Sequence, residues 1–291
     1  VDLGLMARLS AAMQPEAHLI LLGDRHQLAS VEPGRVFGDI CSTIKGGCVV
    51  ELERSHRFAP DSGIAMLAEA VRSSDWARVG IMLKEGKHPD VSWAPLPTPA
   101  GMVNSLEGLV LGRFADCLEG DDPLRALESF NRFRVLCALR QGPYGVNNVN
   151  AVCEAILRKA GLIHPSRGGL YRGRPVLVTR NDYSIGLFNG DTGVLWPDPS
   201  VGGALTACFP CPDGGIRRIA PARLPPHETS WAMTVHKAQG SEFDGVLLVL
   251  PDRESPVVTT ELLYTAITRA RIEMVIMGRA LSLYLGGEQE G

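Results

Sequence analysis

The stretches TVHKAQGSEFDGVLLVLP (residues 234–251) and LLYTAITRARIEMVIMG (residues 262–278) decide the reading of this chain. The first is a polar turn rich in His, Lys, Gln and Gly that runs into a continuous apolar strand. The second is a short helix with Arg269 and Arg271 near its end, followed by another apolar strand. Upstream, LILLGDRHQLASV (residues 19–31) has the same strand-then-polar-loop order. Uninterrupted apolar runs bounded by turn signals fit strands buried on both faces of a sheet. Three polar clusters, each beside such a strand, predict one nucleotide site assembled from distant pieces. In open parallel sheets such a site is expected at the carboxyl ends of the strands.

Working outward, residues 1–40 read as helix, strand (residues 18–22), polar loop and short helix, with Leu3, Met6, Leu9 and Met13 on one helical face and Asp2 as N-cap. Residues 48–54 (CVVELER) predict a short strand, and residues 61–84 a helix striped by Ile64, Leu67, Ala68 and Val71. The prolines of HPDVSWAPLPTPAG (88–101) exclude regular helix. Helical segments return near 104–131, then a strand at 134–139, the turn RQGPYG and a helix from about Val149 to Ala160. That β–turn–α unit is typical of a parallel α/β sheet. Residues 166–228 change character, with many Gly and Pro and strand candidates at PVLVTR, TGVLWP, ALTACF and RRIAPA. They predict a small β-barrel-like insert. The α/β pattern resumes as strand 245–250, helix 260–270 and strand 272–277.

Composition sets limits on function. A chain of 291 residues is long enough for two domains. No apolar stretch is long enough to span a bilayer, and the first residues lack the basic region of a signal peptide. Seven cysteines without regular spacing predict reduced thiols and a cytoplasmic protein. A net charge of −3 means that any nucleic-acid binding uses local patches. The chain opens without an initiator Met and reads as a piece of a longer protein. Cys208 and Cys211 form CFPC with no second pair at zinc-ribbon spacing, and the histidines are dispersed, so no metal site is expected.

Each cluster has a bland reading beside a chemical one. Gly23, Asp24 and Gln27 follow an apolar strand; a glutamine there can sense a γ-phosphate or orient a water, but alone the cluster is a plain polar loop. Arg54 and Arg57 offer donor forks that match phosphate oxygens, yet any single one is more simply a surface ion pair. Thr234, His236, Lys237, Gln239, Gly240 and Glu242 crowd so many polar types before a buried strand that a site is the better reading. Gly240 permits close backbone approach or positive φ, Glu242 could accept from a ribose hydroxyl, and Thr234 and His236 could reach a nucleic-acid phosphate. Thr265 and Arg269 share a helix face, so Arg269 is expected to project from a helix end into a cleft. Arg271 fits a helix carboxyl end that favours cations.

Taken together, GDRHQLASVEPGRVFGDI, LERSHRF, FRVLCALRQGPYGVNNVN, LFNGDTGV, MTVHKAQGSEFDGV and YTAITRAR resemble, in order and approximate spacing, motifs III to VI of superfamily 1 DNA helicases, and within them the RecD-type subunits of exodeoxyribonuclease V. The resemblance covers nearly the whole chain. It implies an α/β fold: a RecA-like P-loop NTPase-type parallel sheet, the second helicase domain, with an SH3-like β insert and the tail of the first RecA-like domain. The implied boundaries are residues 1–47 for that tail, 48–165 and 229–291 for the second domain with a helical, Pro-rich insertion at about 61–125, and 166–228 for the insert. It implies that Gln27 reads the γ-phosphate, that Arg57 and Arg269 close on the triphosphate, and that Gly23, Asp24, Gln239, Gly240 and Glu242 lie near the nucleotide. Thr234, His236 and Lys237 would face single-stranded DNA, with Asn189 and Gly190 of the insert near its path. Translocation would run 5′ to 3′, with RecB- and RecC-type subunits as partners and nuclease chemistry placed in a partner.

One departure matters. The family's ATP and Mg²⁺ site needs a Gly-rich loop ending in Gly-Lys-Ser/Thr and an Asp-Glu pair. The only Gly-Lys here is Gly86-Lys87, followed by His88, and no Asp-Glu dipeptide occurs. In relatives the acidic pair lies just before the helix that begins this chain. The expectation is therefore half of an ATP site: ATP and Mg²⁺ serve the full-length protein, and none is expected bound to this piece. The competing readings are a passive single-stranded-DNA-binding and partner-docking module, and the helicase part of a relaxase.

Overall fold

Strand β2 (Phe133–Cys137) pairs in parallel with β8 (Ala232–Thr234) on one side and β9 (Phe243–Val249) on the other. Strand β9 then pairs with β10 (Ala270–Gly278), and β10 with β1 (Val91–Pro95), giving a five-stranded parallel sheet of order β1-β10-β9-β2-β8. The computed structural model describes residues 2–28, 36–44, 48–52, 61–166 and 168–279. The sequence of β9 explains its central place. Val246 and Leu248 face one apolar cluster and Leu247 and Val249 the other, so both faces are dry. Helices α3 (Gly63–Arg72), α4 (Trp76–Glu85) and α8 (Thr260–Ile267) cover the first face. Helices α5 (Met102–Phe114), α6 (Pro123–Arg132) and α7 (Val146–Lys159) contribute to the second. The result is a three-layer α/β arrangement.

Side chains start these helices where the sequence places short polar residues. Ser62, Asp75, Asp122 and Thr259 each accept a backbone N–H at a helix amino end, contributing typically ~1 kcal/mol apiece. Asp2 does the same for α1 (Leu3–Ala12), accepting from the Leu5 N–H at 2.8 Å. Of the four apolar positions expected on one face of α1, only Met6 is buried. The helix expected over 61–84 is two, because Ser73, Ser74 and Asp75 break it and Ser74 takes a positive φ of 56°. The Pro-rich stretch contains β1: an edge strand tolerates a proline that cannot donate to a ladder.

Between α7 and β8 the chain builds a second sheet, antiparallel, of order β6-β5-β4-β3-β7. Its strands are β3 (Pro175–Val178), β4 (Thr192–Asp198), β5 (Ala204–Pro210), β6 (Ile216–Ile219) and β7 (His227–Thr229). One face carries Val176, Val178, Leu195, Ala207 and Phe209. The other lays Val194, Trp196 and Cys208 on Ala126 and Leu127 of α6, and the Trp196 indole N–H donates to the Asp121 carbonyl at 3.1 Å. Among the described strands, β6 and β7 are the edges of this sheet.

Two expected strands are not formed over their described residues, and residues 53 and 54 of the second lie outside those. Residues 18–22 and 48–52 carry no strand pairing, and Ile20, Leu22, Val50 and Leu52 are 80–89% exposed. Apolar side chains define a strand only where a neighbouring strand supplies the ladder, and none of the described strands pairs with these segments. An ion pair from Arg25 to Glu51, at 2.9 Å, connects the two regions. Helix α2 (Val36–Thr43) forms as expected for a short helix. No helix among the described residues is long and apolar enough to cross a membrane.

Candidate nucleotide and nucleic-acid site

Register locates the polar clusters on opposite rims of the parallel sheet. Ala270 pairs with Phe243, and the Phe243 N–H donates to the Arg269 carbonyl at 2.9 Å, so Glu242 and Arg269 stand side by side just ahead of β9 and β10. That is the amino rim. Thr234, by contrast, is level with Cys137 and Val249 at the carboxyl rim. The segment 235–242 runs from one rim to the other through a short 3-10 turn at His236–Ala238. The expectation of one site at the carboxyl ends is therefore corrected. A single connection, too short for a crossover helix, delivers its first residues to one rim and its last to the other.

At the amino rim three chain segments meet. The Leu28 N–H donates to Thr265 Oγ1 at 2.8 Å, Gln239 Nε2 donates to the Leu28 carbonyl at 2.8 Å, and Tyr264 Oη donates to Asp24 Oδ2 at 3.0 Å. Gln27 Nε2 also donates to Asp24, at 3.1 Å. So the loop after residues 19–22, the 239–242 turn and α8 form one surface, with Gln239, Gly240 and Glu242 exposed on it and Gly23 and Asp24 exposed nearby. Gly240 sits at φ +82° with open space around it, where any side chain would strain the backbone.

Arg269 does not project into an open cleft. It is 2% exposed, and its guanidinium donates to the carbonyls of Thr265 (3.2 Å) and Ser241 (3.0 Å) and to Thr268 Oγ1 (3.3 Å). The helix ends at Ile267, so Arg269 folds back under the 241–242 turn instead of extending from the helix. For the same reason Arg271 is no helix-end cation: it lies in β10 and faces Asp244 at 3.8 Å. Arg54 and Arg57 lie outside the described residues. Behind the rim, the Arg134 guanidinium is buried 3.8 Å from the Phe130 ring centroid and 5.1 Å from that of Phe243. Burial pulls its pKa down to about 9, which leaves it a cation at neutral pH.

The carboxyl rim is held from behind by Asn150. Its amide donates to the Ala232 carbonyl at 3.0 Å and accepts the Ala232 N–H at 2.9 Å, so the side chain completes the free edge of β8. Trp231, fully buried, donates its indole N–H to Tyr171 Oη, which in turn donates to Glu154. Burial and the Glu154 carboxylate hold the Tyr171 phenol far above its ordinary range. In front, Lys237 Nζ donates to Glu228 Oε1 at 2.5 Å and Arg140 Nη2 to Glu228 Oε2 at 3.0 Å. Thr234 Oγ1 accepts the Lys237 N–H at 3.3 Å. His236 is partly buried, and burial lowers its pKa, favouring the neutral ring. In the antiparallel sheet Asn189 and Gly190 are exposed on the loop between β3 and β4, Gly190 at φ +101°, beside the exposed rings of Tyr183 and Phe188.

The geometry supplies donors suited to phosphate at both rims. It offers no group of three or more His, Cys, Asp or Glu placed to hold a metal among the described residues. In this arrangement the Arg269 guanidinium is buried on backbone carbonyls, and the Gln239 and Gln27 amides donate to Leu28 and Asp24.

Comparison with known proteins shows what the chain is related to. Residues 229–277 match the UvrD-like helicase C-terminal domain, and residues 1–88 match an AAA domain. A RecBCD enzyme subunit RecD from Mycolicibacterium smegmatis is 38% identical over 280 residues, covering 96% of this chain and 48% of the relative. The chain is a homologue of RecD subunits. An ATP-dependent RecD2 DNA helicase from Deinococcus radiodurans is 28% identical, over 95% of this chain and 34% of that protein. A Bacteroides Pif1 structure bound to single-stranded DNA aligns with a TM-score of 0.40 at 17% identity, over 78% of this chain and 51% of that one. The chain thus spans about half the length of the RecD relatives it matches. Arg140, Glu228 and Asn150 are carboxyl-rim residues that the sequence did not single out. The tight polar turn RQGPYG just after an apolar strand was the signal for Arg140; nothing in the sequence marks Glu228 or Asn150.

Proposed function

We propose that this chain is the second motor half, with part of the first, of an ATP-dependent 5′-3′ DNA helicase subunit of the exodeoxyribonuclease V type, acting in double-strand break repair and recombination beside RecB- and RecC-type subunits. The observation that carries the reading is the amino rim. Residues 24–28, 239–242 and 264–269, far apart in sequence, are joined there by direct hydrogen bonds into one surface that holds Arg269, Gln27 and Glu242. A helicase of this kind needs such a surface to sense the γ-phosphate, with Arg57 as a second cation. ATP would bind between it and a P-loop, and Mg²⁺ would neutralise charge developing on the transferred phosphoryl group.

On this reading the carboxyl rim, with Thr234, His236 and Lys237, and the insert loop with Asn189 and Gly190 grip single-stranded DNA through its phosphates without sequence preference. We assign residues 1–47 to the first RecA-like domain, 48–165 and 229–291 to the second, and 166–228 to an SH3-like insert. The two rims are joined by residues 235–242, so a shift at the nucleotide surface has a short covalent route to the DNA surface.

The experiment is ATP hydrolysis stimulated by single-stranded DNA, measured for this chain alone and for the chain joined to its P-loop domain. Hydrolysis is expected only in the second. Hydrolysis by the chain alone, abolished by Arg269→Ala, would overturn the half-site reading. Salt-sensitive DNA binding with no hydrolysis in either would make the chain a passive binding module.

A further inference from the structure

Two cations of the carboxyl rim share one carboxylate. Glu228 stands on β7, in the antiparallel sheet, where it pairs across from Leu177. Arg140 follows the carboxyl end of β2, and Lys237 lies in the turn after β8, both in the parallel sheet's territory. One Glu228 oxygen takes Arg140 at 3.0 Å and the other takes Lys237 at 2.5 Å. The Glu228 and Lys237 side chains are 22% and 24% exposed, and that of Arg140 is 60% exposed. Beside them, Asn147, Asn150, Ala151, Glu154 and Thr229 line a cleft of about 240 Å³ that includes Glu228.

The geometry matters because a carboxylate and a phosphodiester present the same element to a cation: two anionic oxygens on one centre, each able to take a charge-assisted hydrogen bond. Two cations held on the two oxygens of one anion are already arranged for a bridging phosphate. We propose that Glu228 is an internal stand-in for a DNA phosphate, that it keeps Arg140 and Lys237 in place on the path, and that it yields them when single-stranded DNA binds. Arg140 thereby joins Lys237 as a phosphate contact. The proposal rests on the DNA-binding reading of this rim.

The chemistry is an exchange of ion pairs. DNA gains two cation contacts, and the protein loses two, leaving Glu228 to water. Each contact is therefore weaker than one made by an unengaged cation, and a translocating grip must be released as readily as it is made. Because Glu228 belongs to the insert and its partners to the parallel sheet, the exchange also removes two of the ties between these units.

The test is fluorescence anisotropy of a labelled oligothymidine across a salt series. Glu228→Gln is expected to tighten binding roughly three- to tenfold at low salt, the scale of partly exposed ion pairs. Adding Arg140→Ala or Lys237→Ala should abolish most of that gain. Glu107→Gln, which neutralises the partner of Lys159 in an ordinary surface pair at 2.8 Å, should change nothing and so controls for net charge. A folded Glu228→Gln protein that binds DNA equally or more weakly would overturn the proposal and make Glu228 a strut between the two sheets. Equal tightening by Glu107→Gln would overturn it too. If the wild type shows no salt-dependent binding and Lys237→Ala has no effect, the DNA reading of the rim itself fails. Should Glu228→Gln not fold, Glu228→Ala decides: it removes the carboxylate from both cations, so binding should tighten, and unchanged or weaker binding would sink the idea.

Discussion

At the amino rim of the parallel sheet Arg269 and Gln239 are tied to backbone; at the carboxyl rim Arg140 and Lys237 are tied to a side chain. Arg269 donates to the carbonyls of Thr265 and Ser241, and Gln239 to that of Leu28. Arg140 and Lys237 meet on Glu228. The difference is one of how each surface can change. Backbone partners move only when their segments move, and a buried guanidinium that leaves them must find equal partners at once. Partly exposed ion pairs are screened by salt, worth little each, and exchangeable with a passing phosphate. On the proposed reading, one rim registers a conformational state and the other grips and lets go.

The sharpest way to break this contrast is at Arg269. In the protein joined to its P-loop domain, Arg269→Ala is expected to lower ATP turnover by about 10³-fold, the scale of a finger arginine, with nucleotide affinity changed far less. Because its guanidinium also satisfies two carbonyls, Arg269→Ala should in addition lower the stability of this chain. Arg269→Lys separates the effects. It keeps the charge without the planar fork, so most of the turnover loss should persist. Steady-state kinetics with nucleotide titration reads both; parallel loss of affinity and turnover would mean ordinary ground-state binding.

A smaller effect is expected behind the carboxyl rim. Asn150→Leu removes both partners of Ala232 and leaves a buried N–H and carbonyl unsatisfied at the edge of β8. The cost should be roughly 2–4 kcal/mol of unfolding free energy, measured by urea denaturation. DNA affinity should fall with it, since β8 sets the position of Thr234 and Lys237. A stability loss below about 0.5 kcal/mol would show that β8 is held by its ladder to β2 alone.

How much of this was legible in the sequence follows from the range of the forces involved. Strands β2, β9 and β10 were legible because each carries its own apolar run, and four strands of the antiparallel sheet because Gly and Pro punctuate it; β1, inside the Pro-rich stretch, and the three-residue β7 and β8 were not. The Gln239–Gly240–Glu242 turn was legible because polar residues crowd where a buried strand begins. The rim to which each end of the 234–242 cluster goes was not, because the three-residue β8 was not expected and nothing marked Thr234 as a strand's end; the register of Thr234 with Cys137 and of Ala270 with Phe243 reveals it. The strand expected at 18–22, and that expected at 48–54 over its described residues 48–52, misled for a related reason: their pattern specifies a buried strand, but a strand needs partners that no local pattern supplies. Glu228 escaped notice because a lone carboxylate in a polar segment looks like any other until two distant cations close on it.

The smallest effect tests whether the turn between the rims is as closed as its burial suggests. His236 lies in that turn, and burial lowers its pKa below the ordinary 6.5. A histidine whose folded pKa is depressed binds fewer protons folded than unfolded at mildly acidic pH. Stability is therefore highest above the unfolded pKa and declines as pH falls through it, flattening once the folded ring is also protonated. His236→Gln should remove part of that decline, visible as a shallower loss of unfolding free energy on moving below about pH 6.5 while stability above it changes little. An acid profile identical in the variant would mean that the ring is freely hydrated. The turn would then be open to solvent at its centre, and the short covalent path would be too loose to couple the nucleotide surface to the DNA surface.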